Sequence, residues 1–110
     1  MDWTRLDELR AEVGSEALGE VLALFLEETD DMALRLAGGG NRATLGDDLH
    51  FMKGAALNLG FGKLADACRA AETVLRADGP EAVDISTILD SYSVAKAELH
   101  AREPALSGAA

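Results

Sequence analysis

His50 stands in this chain with a set of neighbours at helical spacing that together could support covalent chemistry. Lys53 follows at i+3, Gly54 at i+4 and Leu57 at i+7, with Phe61 four residues further on. An imidazole, whose ordinary pKa is about 6.5, is a nucleophile at neutral pH. A phosphoryl group on such a ring would carry roughly two negative charges, and a cation one helical turn away is within reach to stabilise them. The side chain at i+4 would crowd the ring, and here it is glycine, although glycine costs about 1 kcal/mol in a helix interior. That choice clears room for the group and for the close approach of a partner surface. Leu57 and Phe61 add apolar surface around the reacting atom for a partner to bury.

The surrounding sequence does not complete an enzyme site. It has no carboxylate cluster for Mg²⁺, no glycine-rich nucleotide loop and no assembled base, so no turnover of its own is expected. A single cysteine, Cys68, excludes an internal disulfide and any CxxC motif. A helical metal- or cofactor-binding bundle would need several inward ligands with E-x-x-H pairs. The chain has two histidines and no such pair.

Glycine and proline divide the sequence into the elements that must position His50. Asp2 to Val13 reads as a short amphipathic helix, with Asp2 as N-cap and Gly14 as stop. Ser15 is the expected cap of the next piece. There Leu18, Val21, Leu22, Phe25, Thr29, Met32 and Leu36 mark one buried face of a helix from about 17 to 37, ended by Gly38-Gly39-Gly40. Asn41 is expected to cap a third helix reaching Leu59, with Gly60 as its stop. A fourth helix runs from about 63 to 77, with Leu64, Ala67, Cys68, Ala71 and Leu75 inward. After a Gly79-Pro80 turn, Asp84 or Ser86 starts a last helix, with Ile85, Ile88, Leu89, Tyr92 and Leu99 inward, ending before Pro104. Residues 105–110 are expected to fray. Four amphipathic helices with short loops imply an all-α, up-down-up-down four-helix bundle with a short extra N-terminal helix. At 110 residues this is one domain, 1–110.

At 100° per residue, Leu45, Leu49, Met52, Ala55, Ala56 and Leu59 fall opposite His50 and form the core face of the third helix. Gly46, His50, Lys53, Gly54 and Leu57 form the stripe directed to solvent.

The run His50-Phe51-Met52-Lys53-Gly54-Ala55-Ala56-Leu57-Asn58-Leu59-Gly60 resembles the signature of the histidine phosphotransfer (HPt) family. In that family the pattern is H-x-hydrophobic-K-G-small-small-x-x-hydrophobic-G. Leu64, Ala65, Cys68 and Glu72 match its continuation on the next helix, and the resemblance covers essentially the whole chain, since domains of this family are four-helix bundles of about this length with a short N-terminal helix. It implies that His50, at Nε2, takes a phosphoryl group from a receiver-domain aspartate and passes it to another receiver in a multistep phosphorelay fed by a hybrid sensor histidine kinase. Lys53 then becomes the phosphoryl-stabilising cation and Gly54 the residue that leaves space. Phe51, Leu57 and Phe61 become receiver-docking residues. The receiver's acidic pocket brings Mg²⁺, so the chain needs no cofactor or metal of its own, and a monomer is expected. Leu49 is bulkier than the alanine common before the histidine, and Phe51 replaces a smaller polar residue. Both bear on which receiver docks. The alternatives are a phosphoacceptor domain serving a chemotaxis-type histidine kinase, and a helical interaction module in which His50 is never phosphorylated.

Other candidates read more plainly. His100 lacks comparable neighbours and reads as a surface residue. Cys68 reads as a buried small hydrophobe, and Met52 as core. Glu27, Glu28, Asp30 and Asp31 read as a solvated face. Leu57 taken alone is an ordinary surface leucine. The opening residues Met1-Asp2-Trp3-Thr4-Arg5 are polar, no apolar leader follows, and no stretch approaches the ~20 apolar residues of a membrane span. A cytoplasmic protein is expected.

The formal charge is −10, from 10 basic and 20 acidic residues, with 48% hydrophobic residues to build a core. Such acidity disfavours nucleic-acid and anionic-membrane partners. It is not uniform. Residues 41–63 carry Arg42, Lys53 and Lys63 against Asp47 and Asp48, a local excess of +1 in an otherwise acidic chain. An acidic receiver pocket would be favoured at this face.

Overall fold

Three glycines with left-handed backbone mark the helix ends that matter most. Gly14, Gly60 and Gly79 have φ of 86°, 76° and 89°, and each terminates a helix. The computed structural model describes residues 2–38 and 42–107. Its helices are α1 (Trp3–Val13), α2 (Ser15–Ala37), α3 (Leu45–Leu59), α4 (Gly62–Asp78) and α5 (Ile85–Ser107). Single 3-10 turns, Arg42–Thr44 and Pro80–Ala82, precede α3 and α5. No strand occurs among the described residues.

The helices form the expected all-α bundle. Packing runs from α2 to α3, α3 to α4, α4 to α5, and from α5 back to α2, which closes a four-membered ring. The short α1 lies mainly on α2, touches α3, and inserts Leu6 and Leu9 into the core. The inward stripes read from the sequence converge there: Leu18, Leu22, Leu36, Leu49, Met52, Leu59, Leu64, Cys68, Ile88 and Leu99 are all buried. Leu26, outside the predicted α2 stripe, joins them. Thr29 is tolerated in this apolar layer because its hydroxyl donates to the Phe25 carbonyl one turn back, at 2.6 Å.

Capping explains most boundaries. The Asp2 carboxylate accepts the Thr4 N–H at 3.0 Å and starts α1. Asp84 starts α5, accepting from the Ser86 hydroxyl and from the hydroxyl and N–H of Thr87. Those bonds, the Ser86 one foremost, hold its carboxyl below the usual range. Three boundaries differ from expectation. Ser15 is the first helical residue of α2, not its cap; Gly14 occupies the cap position and offers no side chain. The expected cap Asn41 lies outside the described residues, and α3 is instead entered through the Arg42–Thr44 turn. The last helix passes through Pro104 to Ser107. A proline's fixed φ near −65° is itself helical, and its missing N–H removes a single intrahelical bond.

A polar clamp ties α2 to α5. The Tyr92 hydroxyl and the Lys96 ammonium both donate to Asp30 Oδ1, at 2.6 and 2.8 Å. Burial would raise the Asp30 carboxyl, but the bonds from Lys96 and Tyr92 outweigh it and hold it below its ordinary value. Asp30 is therefore not simply part of a solvated acidic face.

Candidate functional site

α3 carries the candidate site on its outer crest. Its inner face, Leu49, Met52, Ala56 and Leu59, is fully buried at 0% exposure. His50 consequently points outward, with 75% of its side chain exposed. The helix is held at both ends. At its start, Arg35 of α2 donates through Nε to the buried Asp48 carboxylate at 3.1 Å and through Nη2 to the Thr44 hydroxyl at 2.7 Å. At its end, the Asp2 N–H donates to the Gly60 carbonyl at 2.6 Å and Arg5 Nε to the Asn58 carbonyl at 3.1 Å. An acidic residue in the first turn and a cation on the last carbonyls also suit the helix dipole. The imidazole thus rides on an element fixed against α1 and α2 as well as the core.

The two flanks of the crest differ. On the α4 side, Lys53 Nζ lies 2.8 Å from Glu72 Oε1, and His50 Nδ1 lies 4.0 Å from Glu72 Oε2. The first is a close ion pair; the second is electrostatic contact without a hydrogen bond. Glu72 Oε1 is buried and makes no hydrogen bond among the described residues, so the Lys53 ammonium is what compensates its charge. Cys68 lies beneath this pair. Burial first, and Glu72 second, push its thiol up to about 12, so it is an inert core residue as expected.

On the α2 side the crest opens onto a groove of about 290 Å³. Its walls are Phe25 and Glu28 of α2 and Phe51, Gly54, Ala55 and Asn58 of α3, with His50 at the rim. Phe51 and Leu57 are 41% and 50% exposed. At Gly54 an added Cβ would meet nothing within 4 Å, so no internal packing requires glycine there. Among the described residues, no group of three or more His, Cys, Asp or Glu side chains is arranged to hold a metal ion.

Two expectations are corrected. Phe61 is 1% exposed and is no docking residue. The left-handed turn at Gly60 reverses the chain, the Phe61 N–H donates to the Ala56 carbonyl at 2.8 Å, and the ring packs inward 6.4 Å from that of Tyr92. Lys53 is not a freely exposed lysine. Its side chain is 21% exposed and leans onto α4. In the sequence Glu72 shows only as part of a pattern; its partnership with Lys53 depends on the packing of α3 against α4. The one sequence signal for Asp48 is its place as an acid in the first turn of α3.

Lys53→Ala is accordingly expected to destabilise the fold by about 1–3 kcal/mol, because it strands a buried carboxylate oxygen. Lys53→Ala combined with Glu72→Ala should recover part of that loss in urea titrations. A single variant as stable as the parent would contradict the pairing.

With the geometry in view, a family model of the Hpt domain matches residues 20–102, from α2 to the last turns of α5. No curated protein and no solved structure matches the chain. No described helix is long and apolar enough to cross a membrane. The match spans all four helices of the ring and the whole His50 motif. The chain therefore belongs to the Hpt domain family, the histidine phosphotransfer modules of phosphorelay signalling.

Proposed function

We propose that His50 Nε2 accepts a phosphoryl group from the aspartyl phosphate of one receiver domain and passes it to the aspartate of another, with no independent turnover. In the first step a bond forms between Nε2 and phosphorus while the bond from phosphorus to the aspartyl oxygen breaks, and the aspartate leaves as carboxylate with the electron pair. The second step reverses these roles on a different receiver. Glu72 Oε2 lies 4.0 Å from Nδ1, on the side of the ring away from Nε2. It also faces the positive charge that bond formation puts on the ring. Lys53 neutralises Glu72, so the incoming phosphoryl group meets a compensated pair and not a bare carboxylate. Mg²⁺ is supplied by the receiver's own acidic pocket. Phe51 and Leu57 provide the apolar contact on which the receiver seats.

Gly54 carries this reading. A helix-interior glycine with open space around its Cβ position costs stability and serves nothing inside the molecule. The space serves something that arrives from outside. Gly54→Ala is thus expected to raise stability by about 1 kcal/mol while slowing phosphoryl acceptance at least about tenfold. Thermal melts and stopped transfer reactions measure the two effects on one sample. A variant both more stable and equally fast would contradict the role given to Gly54.

The reading itself is tested by incubating the chain with a phosphorylated receiver domain and Mg²⁺. The expected product is an acid-labile, alkali-stable phosphoryl group on this chain. No transfer from any of a broad receiver panel would overturn it.

A further inference from the structure

The groove beside His50 contains one charged residue that neither the motif nor the chemistry of transfer requires. Glu28, on α2, lines the same groove as His50, Phe51 and Gly54. It lies outside the segment 41–63, whose excess charge is +1, and so brings a carboxylate to the edge of the one region that is not acidic. Leu24, one turn before it on the outer side of α2, is 57% exposed, and Phe51 across the groove is 41% exposed. An exposed carboxylate is thus set between apolar surfaces on the open flank of the reactive imidazole. The other flank holds the Lys53–Glu72 ion pair, so the apolar surface open beside the imidazole lies on the α2 side.

We propose that Glu28 is a specificity-determining residue: it selects receivers that present a basic side chain beside their apolar docking surface and disfavours those that present an acidic one there. The proposal rests on the receiver reading above and deepens it. An approaching receiver brings its own acidic pocket and a phosphoryl group, both repelled by a carboxylate at the rim. A Lys or Arg opposite Glu28 converts that repulsion into attraction, whereas a mismatched partner faces like charges across the interface. The contact is at the rim and partly solvated, so it governs encounter and docking, not the chemical step, and is weakened by salt.

The test uses a receiver domain that phosphorylates the parent chain, with single-turnover transfer followed as receiver concentration is varied. Glu28→Lys is expected to raise the half-saturating receiver concentration ten- to a hundredfold, with the rate at saturation changed less than twofold. The defect should shrink toward zero at 1 M salt. A Lys→Glu or Arg→Glu scan of that receiver's docking surface should find one charge reversal that restores transfer to the Glu28→Lys chain and impairs transfer to the parent. Unchanged half-saturation in Glu28→Lys, a defect confined to the saturating rate, or a scan with no reciprocal rescue would each overturn the inference alone. A parent chain that accepts nothing from any receiver would overturn the receiver reading and this inference with it.

Discussion

A chain carrying His50→Gln is expected to accept no phosphoryl group above background while unfolding at the same urea concentration as the parent. The two halves of that result have separate causes. The imidazole is the nucleophile in the proposed transfer, and an amide nitrogen has no available lone pair to replace it. The side chain is 75% exposed and its nearest charged contact is 4.0 Å away, so little folding energy resides in it. Surface substitutions of this kind usually change stability by less than about 0.5 kcal/mol. His100→Gln is the matched control. His100 is exposed on α5, away from the Lys53–Glu72 pair and the Gly54 groove, and its replacement should leave transfer intact. Loss of transfer in both variants, or in neither, would remove the distinction on which the site rests.

The largest stability effect is expected at Gly60. Its φ of 76° lies in the left-handed region, where a Cβ costs about 1–2 kcal/mol. An added Cβ would also run into the Asp2 carbonyl oxygen and come within 3.2 Å of Arg5 Cβ. The atoms met at Asp2 belong to the backbone that leads into α1, so relief requires the start of α1 to move, and α1 contributes the buried Leu6 and Leu9. Gly60→Ala should therefore lose about 2–4 kcal/mol, lowering the melting temperature by on the order of 10 °C. A loss no larger than the about 1–2 kcal/mol of left-handed strain would show that the α1 contact adds nothing to the anchoring of α3. Native-state hydrogen exchange should report the Gly60→Ala change as faster exchange at the C-terminal end of α3.

These two residues also illustrate what the sequence makes legible. A 100° step per residue is a local property, so the outward direction of His50, Gly54 and Leu57 follows from spacing alone, as does the burial of Leu49, Met52 and Ala56 opposite them. Helix ends at Gly14, Gly60 and Gly79 are legible for the same reason, since each demands a backbone conformation that glycine permits. What lies between helices is not legible in this way. Lys53 belongs to the outer stripe by angle, yet it is drawn onto α4 by Glu72, nineteen residues later in the chain. Phe61 follows the exposed stripe in sequence, but the reversal at Gly60 turns it into the core against Tyr92 of α5. Asp30 looks like one of several solvated acids until Tyr92 and Lys96 are packed beside it. Pro104 reads as a stop because local propensity disfavours it, whereas α5 absorbs it. Local geometry thus turns His50 outward, and tertiary contact decides which neighbours reach it.

To relay a phosphoryl group between two receivers, His50 must release the group as well as accept it. Both steps are read by mixing a phosphorylated donor receiver, an unlabelled acceptor receiver and Mg²⁺ with the parent or the His50→Gln chain, and following the label in time. The expected result is transient acid-labile label on the parent chain, followed by label on the acceptor's aspartate, with neither appearing when His50→Gln is used. Acceptor labelling at the same rate with His50→Gln, or label that enters the parent chain and never leaves it, would contradict the carrier role.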